Sequence, residues 1–143
     1  VIVAMKQDFP EEFKRKNGLC GGNMMTAFKS LGVIGVISDG PSRDLDEVRP
    51  MGLQYMLTGV CAGHGDFNIH AINTPVDICG MEVMPGEIVH MDENGAVKFP
   101  AGYLEEVVGR CGCLAAHEAG KQKLLSEHHD AETLARILSD NYE

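Results

Sequence analysis

The sequence predicts a mixed α/β domain followed by a helical tail. Three observations predict it. The run Val33-Ile34-Gly35-Val36-Ile37-Ser38 is almost wholly apolar, as in a strand buried on both faces of a parallel sheet. Seventeen glycines punctuate the chain and cut its middle into short, β-like runs. From Tyr103 onward the composition turns helical and stays so.

The elements follow in order. Val1 to Met5 is an apolar β run. It opens without a methionine, as a strand already under way, so a preceding segment is expected. Residues 8–18 are polar and read as a loop or short helix. Residues 23–31 read as a helix, with Asn23 as its N-cap and Met24, Ala27, Phe28 and Leu31 at helical spacing. Gly32 supplies the C-terminal stop. Residues 33–38 form the buried strand, 39–42 a turn, and 44–48 a short helix broken before Pro50. Residues 53–60 and 67–72 read as short strands, and Val76 to Val83 as a strand pair around Gly80. Met84-Pro85-Gly86-Glu87 is a turn. Ile88 to Met91 and Ala96 to Pro100 form a hairpin across the tight turn Asp92-Glu93-Asn94-Gly95. Residues 103–126 and 131–141 are helical, with the break at His128-His129-Asp130. The tail's apolar positions, among them Leu104, Val107, Val108, Leu114, Leu124, Leu125, Leu134, Ile137 and Leu138, are expected to pack on the body or on a neighbouring subunit.

Composition narrows the function classes. The chain has 143 residues, 12 Lys plus Arg and 21 Asp plus Glu, for a net charge of −9. A chain of this length buries roughly 68% of its unfolded surface, enough for a core. The acidic balance argues against direct nucleic-acid binding, which needs clustered Lys and Arg. No apolar run approaches the ~20 residues of a membrane span. Five cysteines, an odd number with no CxxC pair, read as free thiols of a reducing cytoplasm.

The strongest local pattern is Cys20-Gly21-Gly22-Asn23 opening a helix, followed by the buried strand and then Asp39-Gly40-Pro41-Ser42-Arg43-Asp44. Glycines before a helix let the backbone approach a ligand closely. The helix start offers free N–H groups to an anion. Arg43 suits bidentate binding of a carboxylate. Asp44 is a hard oxygen ligand for Mg²⁺ or Mn²⁺. Together they would hold a small α-keto acid, its keto oxygen toward the metal. The plain alternative is a glycine turn with a surface Arg–Asp pair. His64, Asp66 and His70 read as a polar loop rim or a second metal cluster. His90 and Asp92 read as structural, Asp39 as a turn-former bracing the Arg43 loop, and His117, His128 and His129 as a solvated face. The eight methionines read as core and interface filler. Cys20, at a helix start, is placed where the helix field lowers a thiol pKa.

The stretch from Gly21-Gly22 through Leu31-Gly32-Val33-Ile34-Gly35-Val36-Ile37-Ser38-Asp39-Gly40-Pro41-Ser42-Arg43-Asp44, together with residues 83–100, resembles the RraA-like family. That family includes a regulator of ribonuclease E activity and the class II 4-hydroxy-4-methyl-2-oxoglutarate aldolases, which also decarboxylate oxaloacetate. The resemblance covers residues 1–108, leaving 109–143 as a helical extension. It implies a compact β/β/α sandwich of swivelling-domain type and a ring-shaped homotrimer, or a dimer of trimers, with sites between subunits. It implies that Arg43 binds the substrate carboxylate and stabilises a pyruvate enolate. It implies Asp44 as the direct metal ligand, and the amides of Gly21, Gly22, Asn23 and Met24 as the substrate cradle. It also implies a glutamate from a neighbouring subunit, with Glu105, Glu106 and Glu118 as the positions open to that role.

One departure matters. Aldolases of the family carry an Asp where this chain has Gly22. Retro-aldol cleavage needs a base for the substrate hydroxyl, whereas decarboxylation needs only an electron sink. The expectation is therefore a metal-dependent lyase leaning toward β-keto acid decarboxylation. The competing expectation is a non-catalytic regulator that docks on a ribonuclease or helicase, which the acidic charge suits.

Overall fold

The computed structural model describes residues 1–140, which form two compact units, Val1–Pro100 and a second beginning at Ala101. In the first, β1 (Ile2–Met5), β2 (Gly35–Ser38) and β3 (Gln54–Met56) make a parallel sheet in the order β1-β2-β3. Parallel neighbours require crossovers. Here α1 (Glu11–Lys14) and α2 (Gly22–Ser30) lie between β1 and β2, and α3 (Leu45–Val48) lies between β2 and β3. Two antiparallel hairpins follow, β4 (Val76–Ile78) with β5 (Met81–Val83), and β6 (Ile88–Asp92) with β7 (Gly95–Phe99).

The two-residue period of the strands sorts the side chains into two cores. Val3, Val36 and Tyr55 stand in register across the sheet, and so do Ala4, Ile37 and Met56. The first row packs with Cys20, Met25, Phe28 and Val48 from the helical side. The second packs with Ile78, Val83, Val89 and Met91 from the hairpins. Hairpins, sheet and helices thus form the three layers of a β/β/α sandwich, and β2 at its centre is buried at all four positions.

Several local expectations need correction. The N-cap of α2 is Gly21, not Asn23, which lies inside the helix. Gly32 does end that helix, at φ 81°, a left-handed conformation that costs glycine little. The short helix does end before Pro50, at Val48, and the chain continues past the proline as a 3₁₀ turn, Arg49–Met51. The expected strand over 53–60 shrinks to β3. Residues 67–72 form no strand, and Phe67, Ile69 and Ile72 are exposed. Their alternating pattern finds no ladder partner, and an unpaired strand has no stability of its own.

In the second unit, α4 (Leu104–Glu127) is followed by α5 (Ala131–Leu138). Asp130 caps α5, accepting the Thr133 N–H at 2.8 Å. Lys121 Nζ ties the two helices by donating to the Leu138 carbonyl at 3.0 Å and to Asp140 Oδ1 at 2.7 Å. Of the tail's apolar positions only Ile137 is fully buried, while Leu104, Val108, Leu114 and Leu138 are exposed. Asn141, read from sequence as helical, lies outside the described residues.

Candidate functional site

Three loops leave the carboxyl edge of the parallel sheet, where ligands of open α/β sheets bind. Ser42 sews them together. It forms isolated parallel bridges with Cys20 on one side and Val60 on the other. Its amide donates to the Gly59 carbonyl at 3.0 Å, its carbonyl accepts from the Cys61 amide at 3.0 Å, and its Oγ donates to the Cys20 carbonyl at 2.5 Å. This seam holds the start of α2 beside Arg43 and Asp44.

Asp44 takes a left-handed backbone, φ 57° and ψ 41°, as the N-cap of α3. Its side chain makes no cap bond on α3. It crosses to α2, where Oδ2 accepts the Gly22 N–H at 3.0 Å. The same oxygen lies 3.4 Å from Arg43 Nε, and each of these two side chains is about one-third exposed, at 34%. The negative carboxylate therefore stands at the positive end of α2, with the Arg43 fork beside it.

The two glycines keep this space open in different ways. Gly21 has extended backbone, so its conformation would suit any residue. A Cβ there would overlap Asp44 Oδ2 and come within 2.9 Å of Arg43 Nε. A Cβ on Gly22 would overlap Glu47 Oε2. Glu47 therefore holds its carboxylate over the bare Gly22 backbone, in the space that an Asp side chain at 22 would need. Sequence reasoning missed Glu47. The signal was present in Asp44-Leu45-Asp46-Glu47, a D-x-x-E spacing that reads as a capping box, but both carboxylates turn toward α2.

Of the expected cradle amides, that of Gly22 is engaged by Asp44. Asn23 is exposed on the first turn of α2, and Met24 is half-buried with its sulfur 3.1 Å from Cys20 Sγ. Asp39 does not touch Arg43. Its Oδ1 accepts the Gln7 N–H at 2.7 Å and its Oδ2 lies 3.5 Å from Lys14 Nζ, so it ties the β1 and β2 loops. A cavity of about 600 Å³ is lined by residues such as Lys6, Lys14, Arg15, Asp39 and Cys79 and not by Arg43 or Asp44.

Cys20 corrects a second expectation. It is fully buried, and burial pushes its thiol up to about 11, overriding the helix field at this position. It is not an activated nucleophile. All five cysteines are free thiols. His64, Asp66 and His70 form no metal cluster, and among the described residues no three His, Cys, Asp or Glu side chains converge as a metal cage. Asp44 and Glu47 alone make an open, hard-oxygen pair. That fits a divalent ion of the Mg²⁺ type, which takes one or two carboxylates and fills its shell with water and substrate. No described helix is long and apolar enough to cross a membrane.

The chain is thus a three-layer α/β sandwich with an arginine and acidic side chains over a glycine pair at the carboxyl edge of its sheet. The comparisons make this specific. The RraA-like family, described as Aldolase/RraA, matches residues 1–98, and the chain belongs to that family. It is 32% identical over 98 residues to an uncharacterized protein of Methanocaldococcus jannaschii, covering 68% of this chain and 47% of that one. It is 30% identical over 91 residues to a 4-hydroxy-4-methyl-2-oxoglutarate aldolase of Thermus thermophilus, covering 59% and 52%. Among solved structures it resembles RraAS2 of Streptomyces coelicolor, an RNase ES inhibitor family member, with TM-score 0.71 and 26% identity over 85% of this chain and 61% of that one. The chain spans about half the length of these two curated relatives.

Proposed function

We propose that the chain carries the keto-acid site of a divalent-metal-dependent carbon–carbon lyase. The reaction is of the oxaloacetate decarboxylase or 4-hydroxy-4-methyl-2-oxoglutarate aldolase type, with decarboxylation favoured. One observation carries this reading, namely that Arg43, Asp44 and Glu47 converge on the unsubstituted backbone of Gly21 and Gly22. A surface ion pair has no need of two glycines kept bare beneath it.

Asp44 and Glu47 would hold Mg²⁺ or Mn²⁺, which acts when bound as a Lewis acid on the substrate's keto oxygen. Arg43 binds the carboxylate next to the keto group through its fork. The same guanidinium faces the negative charge that develops on the keto oxygen as the carbon–carbon bond breaks. Carbon dioxide leaves, and a proton taken up from water converts the enolate to pyruvate. No base is needed for that sequence, so it runs with glycine at position 22. Exposed Val60, Phe67, Ile69 and Ile72 support assembly into the family's homotrimer, and five free thiols support a cytoplasmic setting.

The test is pyruvate release from oxaloacetate with Mg²⁺ or Mn²⁺, set against a chelator control. Release above the metal-only background that both Arg43→Ala and Asp44→Asn remove is the expected result. Background release from a folded, assembled protein would overturn it. A second reading, a regulator that masks the basic RNA-binding surface of a ribonuclease, then takes its place. It draws on the net charge of −9 and on the likeness to RraAS2.

A further inference from the structure

Apart from Arg43 and Asp44, the first unit gathers three sulfurs at one point of its helix-side core. Cys20 Sγ lies 3.1 Å from Met24 Sδ and 3.9 Å from Met5 Sδ. The three come from different places, namely the end of β1, the loop before α2 and the first turn of α2. The Tyr55 hydroxyl is buried and faces Cys20 and Ser42, and a thiolate at Cys20 would be a charged acceptor for it.

We propose that Cys20, Met5 and Met24 form a trigonal site for a soft monovalent cation, copper(I) in the first instance. Ligand type selects the softness, since thiolate and thioether sulfurs favour copper(I) over Mg²⁺ or Mn²⁺. Charge selects the valence. One thiolate and one monovalent cation sum to zero, whereas a divalent ion would leave a net positive charge in an apolar core. Geometry agrees as well. Metal–sulfur bonds of about 2.3 Å in a planar trigonal centre set the sulfurs about 4 Å apart. The Cys20–Met5 pair is already at that spacing. The Cys20–Met24 pair opens by less than an ångström, which a flexible, unbranched methionine accommodates. On binding, the Cys20 S–H bond breaks, its proton passes to buffer, and the sulfur's electron pair forms the metal bond. Nothing is oxidised or reduced.

The site is tested with copper(I) under anaerobic conditions, using bicinchoninate as a coloured competitor. The protein carries Cys61→Ser, Cys79→Ser, Cys111→Ser and Cys113→Ser, so that Cys20 is its one thiol. The expected result is a single equivalent of copper drawn from the competitor, with thiolate-to-copper absorption in the ultraviolet. Adding Cys20→Ser removes it. Met5→Leu and Met24→Leu each weaken it about tenfold or more, because each deletes a soft ligand. Leucine conserves volume, so these two variants keep the core filled and decide the matter even where Cys20→Ser fails to fold. Failure to take copper from bicinchoninate would overturn the proposal. So would uptake that persists without Cys20, or that is indifferent to both leucine variants. Because the readout is copper transfer alone, it stands or falls separately from the keto-acid reading.

Discussion

The carboxylate of Asp44 reaches across 22 residues of sequence to accept the N–H of Gly22 at 3.0 Å. One side chain thereby satisfies an orphan donor at the start of α2 and flanks the Arg43 guanidinium. It does so from a left-handed backbone, which asparagine and aspartate visit more readily than other non-glycine residues.

That conformation separates two variants usually treated alike. Asp44→Asn keeps the left-handed backbone and a side-chain acceptor for Gly22, and loses only the charge. Asp44→Ala loses the acceptor and pays for the backbone as well, together about 1–3 kcal/mol. Both are expected to abolish metal-dependent turnover. Thermal melts should place the alanine variant clearly below the asparagine one, and equal melting points would contradict the assigned role of the Gly22 bond.

Gly21→Ala and Gly22→Ala should also diverge. The first puts a methyl group into Asp44 Oδ2 and Arg43 Nε, so the site itself must move. The second meets Glu47 alone, whose side chain must swing aside while Arg43 and Asp44 keep their places. Gly21→Ala is therefore expected to cost about a hundredfold in kcat/KM, as small displacements of positioning groups do. Far-ultraviolet circular dichroism should show both variants folded.

Restoring an aldolase-type carboxylate should take two changes. Gly22→Asp alone drives a second negative charge into the space that Glu47 fills. With Glu47→Ala added, that space is vacant and the carboxylate introduced at position 22 stands in for the one removed at 47. Cleavage of 4-hydroxy-4-methyl-2-oxoglutarate is expected to rise in the double variant and not in either single one. The measured quantity is the non-additivity of the two changes, which neighbouring groups sharing one space should show.

Cys20 sets an alkaline limit on stability. Below about pH 9 the thiol is protonated in both folded and unfolded chains. Between pH 9 and about 11 only the unfolded chain releases its proton, so stability falls as pH rises through that window. The full loss is about 3 kcal/mol for a shift of this size. Urea denaturation of the protein and of Cys20→Ala, run at pH 8 and pH 11, should show the variant losing less between the two. The buried Tyr55 phenol is also pushed upward, chiefly by burial, so both chains lose stability toward pH 11 and the variant loses less.

Much of the fold was legible because the signals were local. The run at 33–38 held the buried strand, narrowed to Gly35–Ser38 with Ile34 outside it and exposed, and the Asp92 to Gly95 turn could only join a hairpin. Residues 67–72 misled because alternation reports a two-faced strand without saying whether a partner exists. Asn23 misled because its propensity as a cap ranks close to glycine's, and the choice was made from afar by Asp44. That Arg43 and Asp44 lie beside the glycine pair was legible from their motif. Glu47 was not, because its role depends on the absence of a side chain at Gly22, which only the folded arrangement brings opposite it. Cys20 was misjudged because sequence shows a helix start and hides the depth at which it lies.

The Ser42 seam has a consequence for how the site opens. Its bonds continue the ladder of the sheet, so the backbone beneath Arg43 belongs to the same cooperative unit as β2. Hydrogen exchange at the Ser42 and Cys61 amides should then require sub-global unfolding and be as slow as in the strands. On the keto-acid reading proposed above, a substrate arriving here would find the floor already ordered, and its binding energy would go to the reacting atoms rather than to assembling the protein around them.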